Sequence, residues 1–185
     1  MKTRKNRTPK PMNKQRLQDL ALRYVGRYAA TKVMLQRNLQ NHVRKATAAH
    51  SDVGDNEAKS WIREIVETCA RKGFVNDEAY ADMVLRSGRA SGWSGMKISQ
   101  KLINKGIKPA QVRELLADSD EDDMQAAILF ARRKALGPYR RTDDADRRKE
   151  MEKICRGGFS PDIARKLVNM DLDQARELLE ELRTR

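Results

Sequence analysis

One stretch of this chain recurs, and the recurrence limits the folds open to it. Lys101 to Leu116 reads Lys-Leu-Ile-Asn-Lys-Gly-Ile-Lys-Pro-Ala-Gln-Val-Arg-Glu-Leu-Leu. Fifty-two residues on, Lys153 to Val168 repeats its Lys, aliphatic, Gly, following apolar residue, Pro, Arg and closing aliphatic pair. Fifty residues earlier, Ile62-Arg63-Glu64-Ile65-Val66 matches Val112-Arg113-Glu114-Leu115-Leu116. Three copies at a period near fifty mean one supersecondary unit repeated in tandem, each copy leaning on its neighbours for a core.

The repeat predicts its own shape. Gly106 closes a helical pattern and can take the left-handed conformation that ends a helix, with Ile107 packing back on Leu102. Gly158 does the same with Phe159 and Ile154, and Gly73 with Phe74 and Cys69. Pro109 and Pro161 then fall at the first helical position, where a missing N–H costs nothing, and Ser160 is a natural N-cap. Each copy reads helix, glycine stop, helix, with a third helix in front.

Apolar spacing extends this along the chain. Helices are expected from Lys14 to Gly26, Thr31 to about Val43, Glu57 to Lys72, Asp77 to about Ser91, Met96 to Lys105, Glu121 to Leu136, Asp143 to Arg156 and Pro161 to Asn169. Asn76 or Asp77 caps the fourth. A last amphipathic segment from Leu172 to Leu182 covers the end of the array. The expected fold is all-α: three tandem three-helix repeats in an elongated, curved array. The expected segments are a flexible basic arm over 1–13, repeats over 14–75, 76–119 and 120–170, and a C-terminal helix over 171–185. The first repeat carries an insertion of about thirteen residues near 44–56, a loop or an extended helix end.

Charged residues at 35% against aromatics at 5% leave the packing to Leu, Ile, Val, Met and Ala. The net charge of +13 is concentrated at the front: residues 1–50 hold 13 Lys and Arg against the single acid Asp19. Residues 51–118 carry 11 basic and 10 acidic side chains, and 119–185 carry 15 of each. Such a block points to a polyanion, most simply nucleic acid. The arm cations Lys2, Arg4, Lys5, Arg7 and Lys10 are either a DNA-touching segment or a solubilising tail. No apolar run is long enough to span a membrane and the N-terminus is polar, so a cytoplasmic chain is expected.

The motifs that carry common chemistries are missing: there is no GxxxxGK[ST] loop, HExxH helix, GxSxG elbow or GxGxxG turn. His42 and His50 lack the paired spacing of a metal site, and Cys69 and Cys155 stand outside any CxxC and read as buried thiols. No metal, cofactor or catalytic group is expected. The adjacent acids Asp77 and Glu78, and the run from Asp120 to Asp123, fit helix N-termini that favour negative charge. Trp93, in the loop Ser91-Gly92-Trp93-Ser94-Gly95, suits stacking on a base or partner and equally an anchor between repeats.

Taken in order, these motifs resemble the RecX regulators of the RecA recombinase. Val75-Asn76-Asp77-Glu78-Ala79-Tyr80-Ala81 is similar to the family's segment at the start of its second repeat, and Arg86, Gly95, Ile98, Leu102, Lys105-Gly106-Ile107 and Gly157-Gly158-Phe159-Ser160 follow in the family's order. Ala21-Leu22-Arg23-Tyr24-Val25 to Leu39 is a looser match, and the likeness runs from about residue 15 to 170. Departures are Met34 where the family often has Glu, Gly157 in place of a common Arg, and the insertion.

The resemblance implies a non-catalytic regulator of homologous recombination, DNA repair and the SOS response; a monomer is expected because no self-complementary apolar stripe stands out beyond what the repeats need. Its partners would be the RecA filament and the single- or double-stranded DNA within it, and its usual effect inhibition. Candidate contacts to RecA or DNA are Arg86, Arg89, Lys97, Lys101 and Lys105 in the second repeat and Lys153, Arg156 and Arg165 in the third. Lys101 and Arg113 recur as Lys153 and Arg165, so the repeat offers cations periodically. Gly73, Phe74, Asp77, Ala81, Gly95, Gly106, Ile107, Pro109, Gly158, Phe159 and Pro161 are expected to serve structure. Two other readings stand beside this one: a DNA-binding protein acting without RecA, and a helical scaffold for another protein.

Overall fold

A computed structural model describes residues 11–49, 54–117, 119–142 and 145–181. The arm cations Lys2, Arg4, Lys5, Arg7 and Lys10, together with His50 and Leu182, lie outside the described residues. Among the described residues there are ten α-helices and no strand: α1 (Lys14–Val25), α2 (Lys32–Thr47), α3 (Asp55–Arg71), α4 (Asp77–Ala90), α5 (Gly95–Asn104), α6 (Pro109–Leu115), α7 (Ser119–Lys134), α8 (Arg147–Arg156), α9 (Pro161–Asn169) and α10 (Leu172–Glu181). A short 3-10 turn, Gly137–Tyr139, precedes α8. The helices fall into three successive groups of three, α1–α3, α4–α6 and α7–α9, followed by α10. The chain divides into two compact units, the first ending at Tyr80 and the second beginning at Ala81.

The first unit is a three-helix core in which Leu17 and Ala21 of α1, Leu35 and Leu39 of α2, and Ile62 and Ile65 of α3 are buried together. Thr31 caps α2, its buried hydroxyl accepting the Met34 N–H at 3.1 Å. α2 continues to Thr47, so the first part of the expected insertion is a helix extension. Asn76 is the residue that caps α4, accepting the Ala79 N–H at 3.0 Å. Asp77 instead serves the neighbouring helix. Its Oδ1 accepts the Lys32 N–H at 2.9 Å, satisfying one orphan donor of α2 and tying the start of α4 to it.

The glycine stops form as expected, with one correction. Gly73, Gly106 and Gly158 have φ of 73°, 93° and 90°. The Phe74 N–H reaches back to the Cys69 carbonyl at 2.9 Å and the Ile107 N–H to Leu102 at 3.1 Å. Ile107 and Phe159 are buried, but Phe74 is 48% exposed, and the next residue, Val75, turns into the core instead. The phenyl ring lines a surface groove with Leu22, Thr68 and Cys69.

In the second unit, Ile98, Leu102 and Val112 are buried in α5 and α6, while Ile128, Ile154, Phe159 and Leu167 centre the core of α7–α9. Ser160 caps α9, accepting the Ile163 N–H at 3.2 Å, and Pro109 and Pro161 open their helices. Ala175 of α10 is buried in the same core, with Leu178 and Leu179 packed against it. α8 begins at Arg147, not Asp143, because Asp146 caps it and the 3-10 turn takes up part of the chain before it. Inside this unit a charged pair is enclosed: Arg140 Nη2 donates to Glu150 Oε2 at 2.8 Å and to the Val168 carbonyl at 2.7 Å, and Glu150 is 4% exposed. The pair thereby closes off the end of α9.

Further helix stops escape the motif. Gly92 at φ 67° ends α4, with the Trp93 N–H on the Gly88 carbonyl at 2.9 Å. A Cβ at Gly92 would stand 2.7 Å from the Phe130 N, so α4 meets α7 there backbone to backbone. Ala135 ends α7 at φ 52°, with the Leu136 N–H on the Ala131 carbonyl at 3.0 Å, a left-handed stop made without glycine.

Candidate functional site

The site grows from the turn between α4 and α5. Gly92 ends α4, Ser94 caps α5 by accepting the Lys97 N–H at 3.3 Å, and Trp93 stands between them. Ser94 is fully buried and its hydroxyl also donates to the Gly157 carbonyl at 2.8 Å, tying the start of α5 to the end of α8. Arg89 and Asp123 complete the support. Asp123 Oδ1 accepts from Arg89 Nη1 and from the Gly95 N–H at 2.8 Å, and Arg89 Nη1 also reaches the Trp93 carbonyl at 3.4 Å. Arg133 donates to the Ser91 carbonyl at 2.7 Å. Every residue from Ser91 to Gly95 is thus bonded through its backbone or side chain.

On this fixed turn Trp93 gathers two cations. Lys97 and Lys101, one helical turn apart on α5, place Nζ 4.4 and 4.5 Å from the indole centroid. The ring's negative face attracts each ammonium by about 0.5–1 kcal/mol at an exposed site. Both ammoniums share one ring, so they lie within about 9 Å of each other. Such a pair is a preorganised double cation suited to a phosphate or a carboxylate.

The remaining sequence candidates are dispersed. Arg86 is exposed on α4, and Lys105 is half-buried at the end of α5. Lys153 and Arg156 are exposed on α8, where Arg156 Nε bonds the Glu152 carbonyl at 3.3 Å. Arg165 on α9 meets Asp162 at 3.4 Å in an exposed ion pair. Arg89 is a correction: its side chain is 12% exposed and turned onto Asp123, so it supports the turn and does not offer a surface cation. Asp123 is the residue that sequence reasoning misses in this role. Its place in an acidic run at a helix start suggests only a dipole effect, and nothing local marks its partner on α4.

A second basic group lies in the first unit. Burial, then Lys45, then Arg16 hold the His42 imidazole below its ordinary pKa. Burial raises the Cys69 thiol, which disfavours the thiolate needed for metal or redox chemistry. Cys69 and Cys155 are both free. Among the described residues no group of His, Cys, Asp and Glu converges as a metal site, and no helix is long and apolar enough to cross a membrane.

Comparison with known proteins agrees with this architecture. The family model described as RecX, second three-helix domain, matches residues 76–116, the span of α4–α6 that includes Trp93, Lys97 and Lys101. Regulatory protein RecX of Myxococcus xanthus is 38% identical over 174 residues, covering 91% of this chain and 92% of its own. The chain belongs to the RecX family of regulatory proteins. Regulatory protein RecX of Agrobacterium fabrum is 33% identical over 151 residues, covering 80% of this chain and 81% of its own. The crystal structure of RecX from Lactobacillus salivarius has the same fold, with a TM-score of 0.61 at 20% identity over 91% of this chain and 97% of that one. The RecX relationship therefore spans all three helical groups.

Proposed function

We propose that this RecX-family chain is a non-catalytic, cytoplasmic regulator of homologous recombination and DNA repair that binds the RecA filament on DNA and lowers RecA's recombinase and ATPase activity. The observation that carries the proposal beyond family membership is the Lys97–Trp93–Lys101 cluster, a double cation on a turn held by Arg89, Asp123 and Ser94. A filament of recombinase on DNA offers what such a cluster takes, phosphates and surface carboxylates, at regular intervals. Arg86 and Lys105 extend the basic face in the second repeat, and Lys153, Arg156 and Arg165 supply weaker contacts in the third. The arm, Lys2 to Lys10, adds diffuse attraction to DNA. Arg89 drops out of the contact set because its charge is spent on Asp123.

The test is RecA-catalysed ATP hydrolysis on single-stranded DNA with this protein titrated in. The rate is expected to fall as the protein approaches the amount of RecA, and Lys97→Glu/Lys101→Glu/Lys105→Glu should weaken filament binding at unchanged helicity. No change in hydrolysis at stoichiometric amounts counts against regulation. Binding to naked DNA as tight as to RecA-coated DNA, with a steep salt slope, would assign the chain to RecA-independent DNA binding.

A further inference from the structure

Where α1 begins, three basic side chains from two helices converge without a counter-charge. α1 and α2 are joined through residues 26–31 and pack together, with Leu17 of α1 and Leu39 and Val43 of α2 buried in one core. A short connection of this kind makes the helices antiparallel and sets the start of α1 beside the end of α2. His42 and Lys45 stand one turn apart on α2, and Arg16, next to the buried Leu17, joins them from α1. Arg16 and His42 are half-buried and Lys45 is exposed. Among the described residues neither Arg16 nor Lys45 meets a carboxylate. Asp19, the single acid in the first fifty residues, is bonded by Gln15 at 3.3 Å, and α2 contains no acid at all. The charges that act on the imidazole are Lys45 of its own helix and Arg16 of α1; α3, packed along the side of α2 that carries Gln36 and Gln40, adds none. Helix electrostatics explains only part of the cluster. The dipole of α2 favours Lys45 in its last turn, but Arg16 sits in the first turn of α1, where the dipole opposes a cation.

We infer that Arg16, His42 and Lys45 form a binding site for a phosphate group. Arg16 offers a planar fork of N–H donors, Lys45 an ammonium and His42 a ring N–H, a set matched to phosphate oxygens. Burial, Lys45 and Arg16 hold His42 below its ordinary value, so the cluster by itself repels a proton that a bound anion draws back. Phosphate and proton therefore bind together, each strengthening the other. The phosphate comes either from a nucleic-acid backbone or from a free phosphate. The backbone is favoured, because 13 Lys and Arg against one acid in residues 1–50 attract a run of phosphates and not one anion alone. The inference deepens the reading of the chain as a regulator acting on a DNA-borne filament, and rests on it for that source.

The His42 imidazole of the full-length chain is titrated by proton NMR, with His42→Gln separating its signal from that of His50. The titration is run alone, with an oligothymidylate, with inorganic phosphate and with polyglutamate of equal charge. The midpoint is expected to rise by about half a pH unit or more with the oligonucleotide. Anisotropy of the labelled oligonucleotide should show the reciprocal effect, an affinity about three- to tenfold stronger at about pH 5.5 than at about pH 7.5. His42→Gln should abolish that rise and keep the affinity at the higher pH. Arg16→Gln/Lys45→Gln should abolish it too, and make the plot of log affinity against log salt shallower by about 0.7, for one phosphate lost. Arg23→Gln/Arg27→Gln, at the far end of α1, should keep the pH dependence, and circular dichroism checks that each variant folds. A midpoint unmoved by either phosphate source overturns the inference. An equal rise with inorganic phosphate upholds the site and assigns it to free phosphate. An equal rise with polyglutamate assigns it to an acidic protein segment and overturns it, and so does loss of the pH dependence in the Arg23/Arg27 variant, which reduces the effect to bulk charge. Wild-type inhibition of RecA hydrolysis is scored separately, so failure of the regulator reading and failure of the site are told apart.

Discussion

Removing Asp123 should damage the second unit more than removing its partner Arg89, and the asymmetry follows from who else each one holds. The two side chains are 17% and 12% exposed. Asp123 accepts from Arg89 and from the Gly95 N–H, whereas Arg89 Nε and Nη2 are buried without partners. Asp123→Ala leaves a buried guanidinium with the Trp93 carbonyl and no counter-charge, and orphans Gly95. Breaking a buried pair in this way costs about 3–5 kcal/mol. Arg89→Met removes the ion that is harder to satisfy and leaves Asp123 its backbone donor and some water, for a cost of about 1–2 kcal/mol. Arg89→Met/Asp123→Leu replaces both charges with apolar groups and should lie within about 1–2 kcal/mol of wild type.

Urea denaturation resolves these differences. With a slope of about 2 kcal/mol per molar, Asp123→Ala lowers the midpoint by about 1.5–2.5 M, and the double variant recovers most of it. Additive single effects, or a larger loss for Arg89→Met, would refute the reasoning, because a pair that supports the turn must couple. The double variant also separates support from contact. If Arg89 acts only through the turn, a folded Arg89→Met/Asp123→Leu chain binds the RecA filament as wild type does; a loss of binding at preserved stability would return Arg89 to the contact set.

Two further outcomes concern the backbone and the pH response. Ala135 holds a left-handed conformation at φ 52°, so Ala135→Gly relieves its Cβ and should raise stability by about 0.5–1 kcal/mol after the entropy glycine adds to the unfolded chain, read as a higher urea midpoint. His42 is held below its ordinary value of 6.5 by burial, Lys45 and Arg16, so the unfolded chain takes up the proton more readily than the folded one. The stability tied to this neutral imidazole is present above pH 6.5 and is lost as pH falls from there through the lower folded value. His42→Gln should therefore flatten the decline between about pH 7 and pH 5 in thermal melts.

What can be read in the sequence is what backbone chemistry writes locally. Gly73, Gly106 and Gly158 mark stops because few other residues tolerate positive φ, and Pro161 after Ser160 marks a start. Ala135 makes the same turn and carries no such mark, since alanine is the commonest filler of a helix interior. Phe74 resembles Phe159 and Ile107 in its place after a glycine, yet the residue buried in the core is Val75 beside it, a choice between neighbours that the local pattern does not mark. The Arg89–Asp123 pair spans 34 residues and has no local signal.

Periodic charge needs a sharper statement than the repeat alone provides. At the spacing of fifty-two that relates Lys101 to Lys153, Lys97 corresponds to Lys149, and the N-cap Ser94 to the N-cap Asp146. Both repeats therefore keep two lysines one turn apart after a cap. What differs is the residue before the cap, Trp93 in the second repeat and Ala145 in the third. Without an indole, Lys149 turns to its own cap and meets Asp146 at 3.5 Å, an exposed pair that neutralises it locally. Ser94 carries no charge, so Lys97 has no such local carboxylate and is held over Trp93 beside Lys101. The repeat supplies cations at every step, but only where serine caps the helix and tryptophan precedes it are two of them gathered on one ring. Binding strength should therefore concentrate in α5, the helix within the matched second RecX domain, with α8 contributing attraction of a more diffuse kind.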